Sequence, residues 1–281
     1  MTDNFKLLPD KDNYCVMGNP VSHSLSPVIH TLFAEQTGEP VHYQAIQVDI
    51  GDFENTLDRF RLAGGKGLNI TLPFKPDAYR CADELTDRAR MAGAVNTVRF
   101  DADGRVCGDN TDGIGLVTDI TVNHAVSING RRILILGAGG AVQGILGPVL
   151  EQQPDSLVIA NRTVSKAKAL VELFPVTAGL QACGFDQLAG QSFDIVLNAT
   201  SASLQSDVPP LPDSIFNKGA LSYDLMYSSQ PTVFQEWSEA HGAAISLDGL
   251  GMLVEQAAEA FYIWRGVRPE TRPVIEALRQ K

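Results

Sequence analysis

The chain has 281 residues, of which 44% are hydrophobic and 20% charged, as is typical of a globular protein and not of a disordered one. The formal net charge of −11 argues against nucleic acid as the main partner, because phosphate binding requires a basic patch. No apolar run approaches the roughly 18 residues that span a membrane, so we expect no membrane partner.

The four cysteines show no paired spacing, and the first twelve residues are polar and charged, with no secretory signal. We therefore expect free thiols, a cytoplasmic protein and a mobile tail over residues 1–12. His23 and His30 lie seven residues apart, but no cysteine or carboxylate pair joins them in the sequence, so we predict no metal site.

The first section of the chain, up to about residue 111, alternates strand-like with helix-like runs. Ser26 is expected to cap a helix that has Pro27 at its first position. Apolar residues at helical spacing predict a second helix over 53–62. Strands are predicted at 14–18, 41–48 and 67–70.

The second section begins near Asp112 and alternates strands with helices, which predicts a parallel sheet with right-handed crossovers. The proline- and serine-rich stretch 201–212 is the best candidate for a mobile loop. A third section, from Gly251, is predicted to hold two helices, and the apolar first helix could pack back on the first section. The strands of the second section are expected at 132–136, 157–160, 193–199, 220–224 and 243–247, and its helices at 141–150 and 164–173.

A glycine turn follows the apolar strand 132–136 and precedes a helix. Glycines in this context let the backbone approach a pyrophosphate whose charge lies at a helix N-terminus, so the turn predicts a dinucleotide site. Val142 stands where the usual pattern has its third glycine, and a tight turn without a ligand is the alternative. The turn consists of Gly137, Ala138, Gly139, Gly140 and Ala141.

The residues that follow the predicted strand 157–160 indicate which cofactor the site prefers. Sites that prefer NAD usually carry an acidic residue here, whereas this chain has Asn161 and Arg162, with Lys166 one helical turn further on. These positive charges suit a 2′-phosphate and favour NADP. The alternative is a solvated helix start that carries one arginine.

Lys75 and Asp112 form the candidate pair for proton transfer. A lysine beside a carboxylate in a half-dry site acts as acid or base when its surroundings tune its pKa. With the glycine turn, this pair would allow a hydride and a proton to move together. The alternatives are a solvated lysine after a Pro-Phe turn, and an N-cap of the helix through Leu116.

Short uncharged side chains lie around these residues, at turns or after apparent strands. Hydroxyls and amides both donate and accept hydrogen bonds, so such side chains suit a ring that carries several hydroxyls. The alternative is ordinary capping and turn chemistry. The residues are Ser24, Ser26, Asn69, Thr71, Asn96 and Thr97.

A series of short motifs resembles the shikimate dehydrogenase family, in order from about residue 14 to the end. The motifs are jointly specific. They are Gly18-Asn19-Pro20, Ser22 to Pro27, Gly64 to Gly67, Asn69 to Lys75, Ala92 to Thr97, Gly108 to Gly113, Gly137 to Ala141, Asn161 to Thr163, Asn198 to Ser201 and Asp248 to Leu253.

The resemblance implies reversible, NADP-linked reduction of 3-dehydroshikimate to shikimate, on the route to aromatic amino acids. It also implies an N-terminal α/β substrate domain over 1–111, completed by C-terminal helices in 249–281. A Rossmann-type NADP-binding domain with a parallel sheet is expected over 112–248, with a cleft between the two domains. We expect a monomer or a homodimer.

The resemblance also assigns roles to residues of this chain. Lys75 and Asp112 match the catalytic pair of the family. Ser24, Ser26 and Tyr227 match the residues that hold the substrate carboxylate. The contacts to the ring hydroxyls are matched by Asn69, Thr71, Asn96 and Gln256. The cofactor contacts are matched by the turn Gly137 to Ala141, by Asn161, Arg162, Thr163 and Lys166, and by Leu225 and Gly249 at the nicotinamide.

Three residues depart from the pattern of the family. Lys166 replaces a second arginine and loses the bidentate fork, which predicts a less tightly held 2′-phosphate. Leu225 stands where methionine is common, and Ser203 replaces a frequent glycine in the loop 201–212.

Three other functions are less consistent with these residues. A quinate/shikimate dehydrogenase with broader substrate and cofactor use is disfavoured by Ser26, where quinate users often have threonine, and by Arg162, which is not acidic. A ligand sensor on the same scaffold would have no need of Lys75 with Asp112. A dehydrogenase of folates or amino acids would require a different set of substrate contacts.

Overall fold

The fold is described from a computed structural model of the chain, which covers residues 5–174, 177, 179–200 and 207–280. The chain forms two compact units, each described here by itself. The first contains the residues up to Gly115 together with Val254–Gln280, and the second contains Leu116–Leu253. Within the described residues, no helix is long and apolar enough to cross a membrane.

The first unit contains a mixed six-stranded sheet with the strand order β2-β1-β3-β5-β6-β4. Strands β1, β2 and β3 are parallel, whereas β5 runs antiparallel to both β3 and β6. The strands are β1 Asp12–Gly18, β2 Val41–Gln47, β3 Gly67–Ile70, β4 Glu84–Leu85, β5 Thr97–Phe100 and β6 Val106–Asp109. The helices of this part of the chain are α1 Ser26–Thr37, α2 Phe53–Leu62, α3 Lys75–Cys81, α4 Asp87–Ala92 and α5 Asp112–Thr118.

Helix α1 begins one residue earlier than the sequence predicts. Ser26 lies inside the helix, Leu25 occupies the N-cap position, and no side chain caps the helix there. The prediction of Ser26 as the N-cap is therefore wrong. Pro27 lies in the first turn, where its missing N–H costs nothing, because the first amides of a helix have no partner within it.

The C-terminal helices α9 Leu250–Arg265 and α10 Arg272–Arg279 complete the first unit. Trp264 donates its indole N–H to the carbonyl of Val98 at 3.0 Å and stacks on Tyr14, with ring centroids 4.5 Å apart. Gly67 allows this approach, because a Cβ there would lie 2.8 Å from the indole nitrogen. Sequence-distant segments thus share one core.

Residues 5–11 contact α2 and β1, so the prediction of a mobile tail over 1–12 is wrong for this part of it. Phe5 packs edge-to-face on Phe60, with ring centroids 5.5 Å apart. The backbone N–H of Leu8 donates to Asn13 Oδ1 at 2.9 Å, and Asn13 Nδ2 returns a bond to the carbonyl of Leu8. An aromatic contact and paired hydrogen bonds therefore anchor the segment.

The second unit contains a six-stranded parallel sheet with the order β12-β11-β10-β7-β8-β9. This is the order of the doubly wound dinucleotide-binding fold, whose strand order reverses between β7 and β10. The strands are β7 Arg132–Leu136, β8 Ser156–Ala160, β9 Leu180–Cys183, β10 Phe193–Asn198, β11 Phe216–Asp224 and β12 Ile245–Leu247. The helices are α6 Gly140–Glu151, α7 Val164–Glu172 and α8 Val233–Ala240.

The parallel sheet that the sequence predicts is confirmed. Strands β7, β8 and β10 are buried along most of their length, as expected where helices cover both faces of a sheet. Of the predicted mobile loop 201–212, residues 201–206, including Ser203, lie outside the described part of the chain.

Candidate active site

The predicted substrate residues lie at one end of the first sheet. Ser24 and Ser26 follow β1, and Thr71 follows β3, whose last residues include Asn69. Because β1 and β3 are parallel, their carboxyl ends meet at the same side of the unit. The antiparallel strand β5 begins at that side, directly after Asn96, and β6 ends there. The sheet topology therefore gathers residues that the sequence separates widely.

Lys75 and Asp112 form an ion pair at this end of the sheet. Lys75 is the first residue of α3, and Asp112 is the first residue of α5. Lys75 Nζ donates to Asp112 Oδ2 at 2.6 Å, with the two side chains 25% and 13% exposed. The pair is thus partly shielded from water, yet reachable.

Asn96 holds the second oxygen of the Asp112 carboxylate. Asn96 Nδ2 lies 2.7 Å from Asp112 Oδ1, 3.0 Å from Thr111 Oγ1 and 3.4 Å from Gln256 Oε1. Asn96 Oδ1 accepts a bond from the backbone N–H of Thr111 at 2.8 Å. Gln256 lies on α9, so this helix from the C-terminal part of the chain also supplies a polar group to the cluster around Asp112.

Ser24, Ser26 and Thr71 lie close to the backbone at the carboxyl end of β1. Ser24 Oγ accepts from the backbone N–H of Ser26 at 3.3 Å, and the N–H of Thr71 donates to Met17 O at 2.9 Å. A Cβ on Gly18 would overlap the Thr71 methyl group, so Gly18 makes room for this threonine.

A charged cluster that sequence reasoning missed holds the loop before Asp112. Asp109 accepts two bonds from the Arg88 guanidinium, at 3.1 Å and 2.6 Å, and one from Thr86 Oγ1 at 2.6 Å. Arg88 also pairs with Glu259 of α9 at 3.1 Å. Asp109 belongs to the motif Gly108 to Gly113, but nothing in the sequence indicates that it pairs with Arg88.

The glycine turn of the second unit exposes backbone at the N-terminus of α6. Gly137 has φ +108°, which favours glycine, and a Cβ there would lie 3.0 Å from Ala199 O. Gly139 and Gly140 are exposed, and a Cβ on either would meet no atom of the described residues within 4 Å. No side chain caps α6, so its first amides and the positive end of its dipole are available to an anion.

Positive charge is available at the carboxyl end of β8. Arg162 and Lys166 are exposed, and within the described residues neither has a carboxylate at salt-bridge distance. Asn161 Nδ2 donates to the carbonyl of Thr163 at 2.9 Å, which shapes the turn into α7. With the open glycine turn, these groups fit a nucleotide that carries an additional phosphate.

Leu225 and Gly249 meet at the carboxyl end of β11. A Cβ on Gly249 would overlap the Leu225 carbonyl, so only glycine permits this approach. Tyr227 follows in the same loop, is 36% exposed, and has its pKa raised by burial. Tyr227 belongs to the second unit, whereas Ser24 and Ser26 belong to the first.

A parallel sheet in Rossmann order with an open glycine turn, together with a lysine–aspartate pair among amides and hydroxyls, defines the class of nucleotide-dependent oxidoreductases. Matches to three family models identify the kind of oxidoreductase more closely. Residues 16–98 match the shikimate dehydrogenase substrate binding domain, residues 120–206 match shikimate / quinate 5-dehydrogenase, and residues 249–279 match the shikimate 5′-dehydrogenase C-terminal domain.

Individual relatives agree with these matches. The shikimate dehydrogenase (NADP(+)) of Alkalilimnicola ehrlichii is 57% identical, over 95% of this chain and 98% of the relative. An Ael1 enzyme from Pseudomonas putida has a TM-score of 0.91 at 48% identity, covering 95% of this chain and 98% of that one. Shikimate 5-dehydrogenase from Thermus thermophilus, solved with NADP(H) and shikimate, has a TM-score of 0.85 at 32% identity, with 95% and 98% covered. The chain belongs to the shikimate dehydrogenase family, which confirms the resemblance.

Proposed function

We propose that this protein catalyses the reversible, NADP-linked reduction of 3-dehydroshikimate to shikimate, a step toward aromatic amino acids. The observation that carries the proposal is the Lys75–Asp112 ion pair at 2.6 Å, set among hydroxyl-binding amides at one end of the first sheet. When bound, the cofactor would supply the hydride acceptor for shikimate oxidation, as NADP+, and the hydride donor for the reduction, as NADPH. Family membership supports the same reaction.

Lys75 moves the proton. During oxidation its Nζ accepts the proton of the reacting hydroxyl, and during reduction it donates a proton to the new alkoxide oxygen. Asp112 holds Nζ through the 2.6 Å bond, and Asn96 fixes the carboxylate through its other oxygen. Because both oxygens have partners, the carboxylate keeps one orientation toward the lysine.

Neutral groups hold the substrate. Ser24 and Ser26 are proposed to bind its carboxylate, and the resemblance to the family assigns the same role to Tyr227. The ring hydroxyls are assigned to Asn69, Thr71, Asn96 and Gln256, four side chains that donate and accept without adding charge. Hydrogen bonds among these amides already align them in the protein, which reduces the ordering cost of binding.

The second unit is proposed to hold NADP. The pyrophosphate would lie on the turn Gly137 to Ala141, which is exposed from Gly139 onward at the start of α6. Asn161, Arg162, Thr163 and Lys166 would hold the adenosine phosphate, while Leu225 and Gly249 would line the nicotinamide. Since Lys166 offers a point charge in place of a guanidinium fork, the 2′-phosphate is expected to be bound less tightly than by two arginines.

We also propose that the protein works in the cytoplasm, as a monomer or a homodimer, and binds no nucleic acid. Four free cysteines suit a reducing compartment. The net charge of −11 repels polyanions, while the exposed Arg162 and Lys166 offer local attraction for one nucleotide.

The test is an initial-rate assay at 340 nm that offers shikimate or quinate, each with NADP or NAD. Strong activity with shikimate and NADP alone is the expected result, since Arg162 suits the 2′-phosphate. Comparable rates with quinate or NAD would make the protein a quinate/shikimate dehydrogenase of broader use. No activity with any combination would overturn the proposal.

A further inference from the structure

The Asn69 carboxamide lies between two sets of partners in the first unit. On one side, Oδ1 accepts from the Tyr43 hydroxyl at 2.8 Å and lies 3.2 Å from His30 Nε2. On the other side, Nδ2 donates to the Asn96 carbonyl at 3.2 Å and to Thr97 Oγ1 at 3.1 Å. Asn69 is 6% exposed, and these partners hold the amide that is proposed to face the ring hydroxyls.

Only one orientation of this amide is compatible with its partners. The Asn96 carbonyl oxygen can only accept, so the group that faces it must be Nδ2. Oδ1 therefore faces Tyr43 and His30, and both must donate to it. A carboxamide rotated by 180° would set two acceptors against each other in a buried site, which is costly.

The acceptor role of Asn69 Oδ1 also determines which ring nitrogen of His30 carries the hydrogen. Because Asn69 Oδ1 accepts, His30 Nε2 carries the hydrogen, and Nδ1 is the unprotonated nitrogen. Nδ1 is buried and has no hydrogen-bond partner among the described residues. Burial lowers the pKa of His30 to about 3, so the ring is neutral at physiological pH.

Aromatic rings hold His30 and Tyr43 in place. The two rings stack with centroids 4.2 Å apart and an angle of 10° between their planes. Trp264 and Phe261 of α9 lie on the imidazole at centroid distances of 5.3 Å and 6.2 Å. The two donors to Asn69 therefore form one rigid layer.

The bonds continue from Asn69 to the ion pair. Thr97 Oγ1 lies 2.9 Å from Asn96 Oδ1, and Asn96 Nδ2 binds Asp112 Oδ1 at 2.7 Å. Asp112 in turn binds Lys75. An unbroken series of buried bonds thus joins His30 and Tyr43 to the proton-transfer pair.

We propose that His30 and Tyr43 are positioning residues for the reaction: by donating together to Asn69 Oδ1 they orient its amide, and through it Asn96, which holds Asp112 and faces the ring hydroxyls. The inference rests on the proposed function. Neither residue exchanges a proton with the substrate. Asn69 transmits the effect of His30 and part of the effect of Tyr43, whose hydroxyl also has a hydrogen bond with Ser26.

The first test compares Tyr43→Phe with Tyr14→Phe. Each variant loses one hydroxyl from a buried ring, and Tyr14 stacks on Trp264 without contacting Asn69. Tyr43→Phe should lower kcat/KM for shikimate about five- to tenfold, the effect of one buried hydrogen bond, with KM for NADP unchanged. Tyr14→Phe should leave both parameters within about twofold. Equal values for the two variants would overturn the inference.

A second test asks whether the donor on residue 30 matters. His30→Gln keeps an N–H donor and should retain most of kcat/KM, whereas His30→Leu should lose about tenfold. An equal loss in both, at equal stability in urea, would contradict the inference. Nitrogen-15 NMR of the unaltered protein should show His30 protonated on Nε2 from pH 5 to 9, and the opposite tautomer would overturn it even if His30→Leu fails to fold.

The third test places Tyr43→Phe in an Asn69→Ala background. If Tyr43 acts through Asn69, its replacement there should cause a smaller loss than in the unaltered protein, because only the bond with Ser26 remains to be lost, whereas independent effects would multiply. If the proposed function is wrong, the unaltered protein will not reduce NADP with shikimate. That result is distinct from the one tested here, and the inference would then fail together with the proposed function. An active protein with multiplicative losses would overturn the inference alone.

Discussion

At the scale of single residues, the Lys75–Asp112 pair has more partners than a stabilising surface contact requires. Exposed ion pairs contribute only about 0–1 kcal/mol to folding, because water screens them. Here the carboxylate is 13% exposed, and Asn96 Nδ2 binds its second oxygen. This arrangement keeps Nζ in one place, as proton transfer requires.

Replacing Lys75 with alanine should therefore affect chemistry more than binding. We expect kcat to fall about 10²–10⁴-fold, while the dissociation constant for shikimate changes far less, because amides and hydroxyls hold the substrate. Stopped-flow rates and equilibrium titration would measure the two effects. Lys66→Ala, at an exposed lysine of an earlier turn, is the matched control. Lost binding with turnover per bound substrate intact would refute the role of Lys75.

Replacing Arg162 with alanine should weaken NADP selectively. Loss of a charged hydrogen bond to the 2′-phosphate should raise KM for NADP about tenfold and leave KM for NAD unchanged. Lys168→Ala, at an exposed lysine on the helix α7 that follows Arg162, should change neither value. An equal rise for both cofactors would remove the proposed selectivity role of Arg162.

At the scale of elements, the sequence predicted those strands and helices whose two ends are marked by a clear change in local residue pattern. Strands β3 and β7 and helix α2 begin and end where predicted, because apolar runs or helical spacing are flanked by glycine or polar residues. Strands β4, β5, β6 and β9 were missed. They are short, two to four residues, and pairing with neighbouring strands defines them, which the sequence does not display.

The residues of the candidate site likewise include some that the sequence indicated and some that it did not. Lys75, Asp112 and the glycine turn stand in motifs with their own chemical pattern, so the sequence indicated them. His30, Tyr43 and Arg88 did not stand out, because their importance depends on partners 21 to 39 residues away in the chain. Only the sheet topology brings those partners within hydrogen-bond distance.

The two glycines at element ends should respond differently to alanine. Gly139→Ala adds a methyl group where no described atom lies within 4 Å, so the free energy of unfolding should change by less than about 1 kcal/mol while KM for NADP rises. Gly249→Ala overlaps the Leu225 carbonyl and should lose about 2 kcal/mol or more. Urea titration and initial rates would measure both, and equal loss of stability in the two variants would contradict this account.

At the scale of the whole molecule, buried His30 links stability to pH. Its pKa is lowered from 6.5 to about 3 in the folded protein, mainly by burial, so below pH 6.5 the unfolded chain binds a proton that the folded protein does not. Stability should therefore fall as pH drops from 6.5 toward 3, by up to about 1.4 kcal/mol per pH unit.

His30→Gln removes this titration and should flatten the pH dependence. Urea titrations between pH 7 and pH 4.5 would measure the free energy of unfolding of both proteins. We expect their difference to shift in favour of the glutamine variant as pH falls. Parallel curves across this range would show that His30 does not contribute to acid sensitivity.

The first unit is assembled from residues up to Gly115 and from Val254–Gln280, and this has a consequence for synthesis on the ribosome. At about 5–20 residues per second, the indole of Trp264 is made on the order of ten seconds after Val98, its hydrogen-bond acceptor. During that interval the nascent first sheet lacks α9, so Tyr14 lacks the indole that stacks on it, and His30 has Tyr43 beside it but neither Trp264 nor Phe261. The second unit is contiguous in sequence and has no such delay, so the part of the chain that is translated first is the last to complete its core.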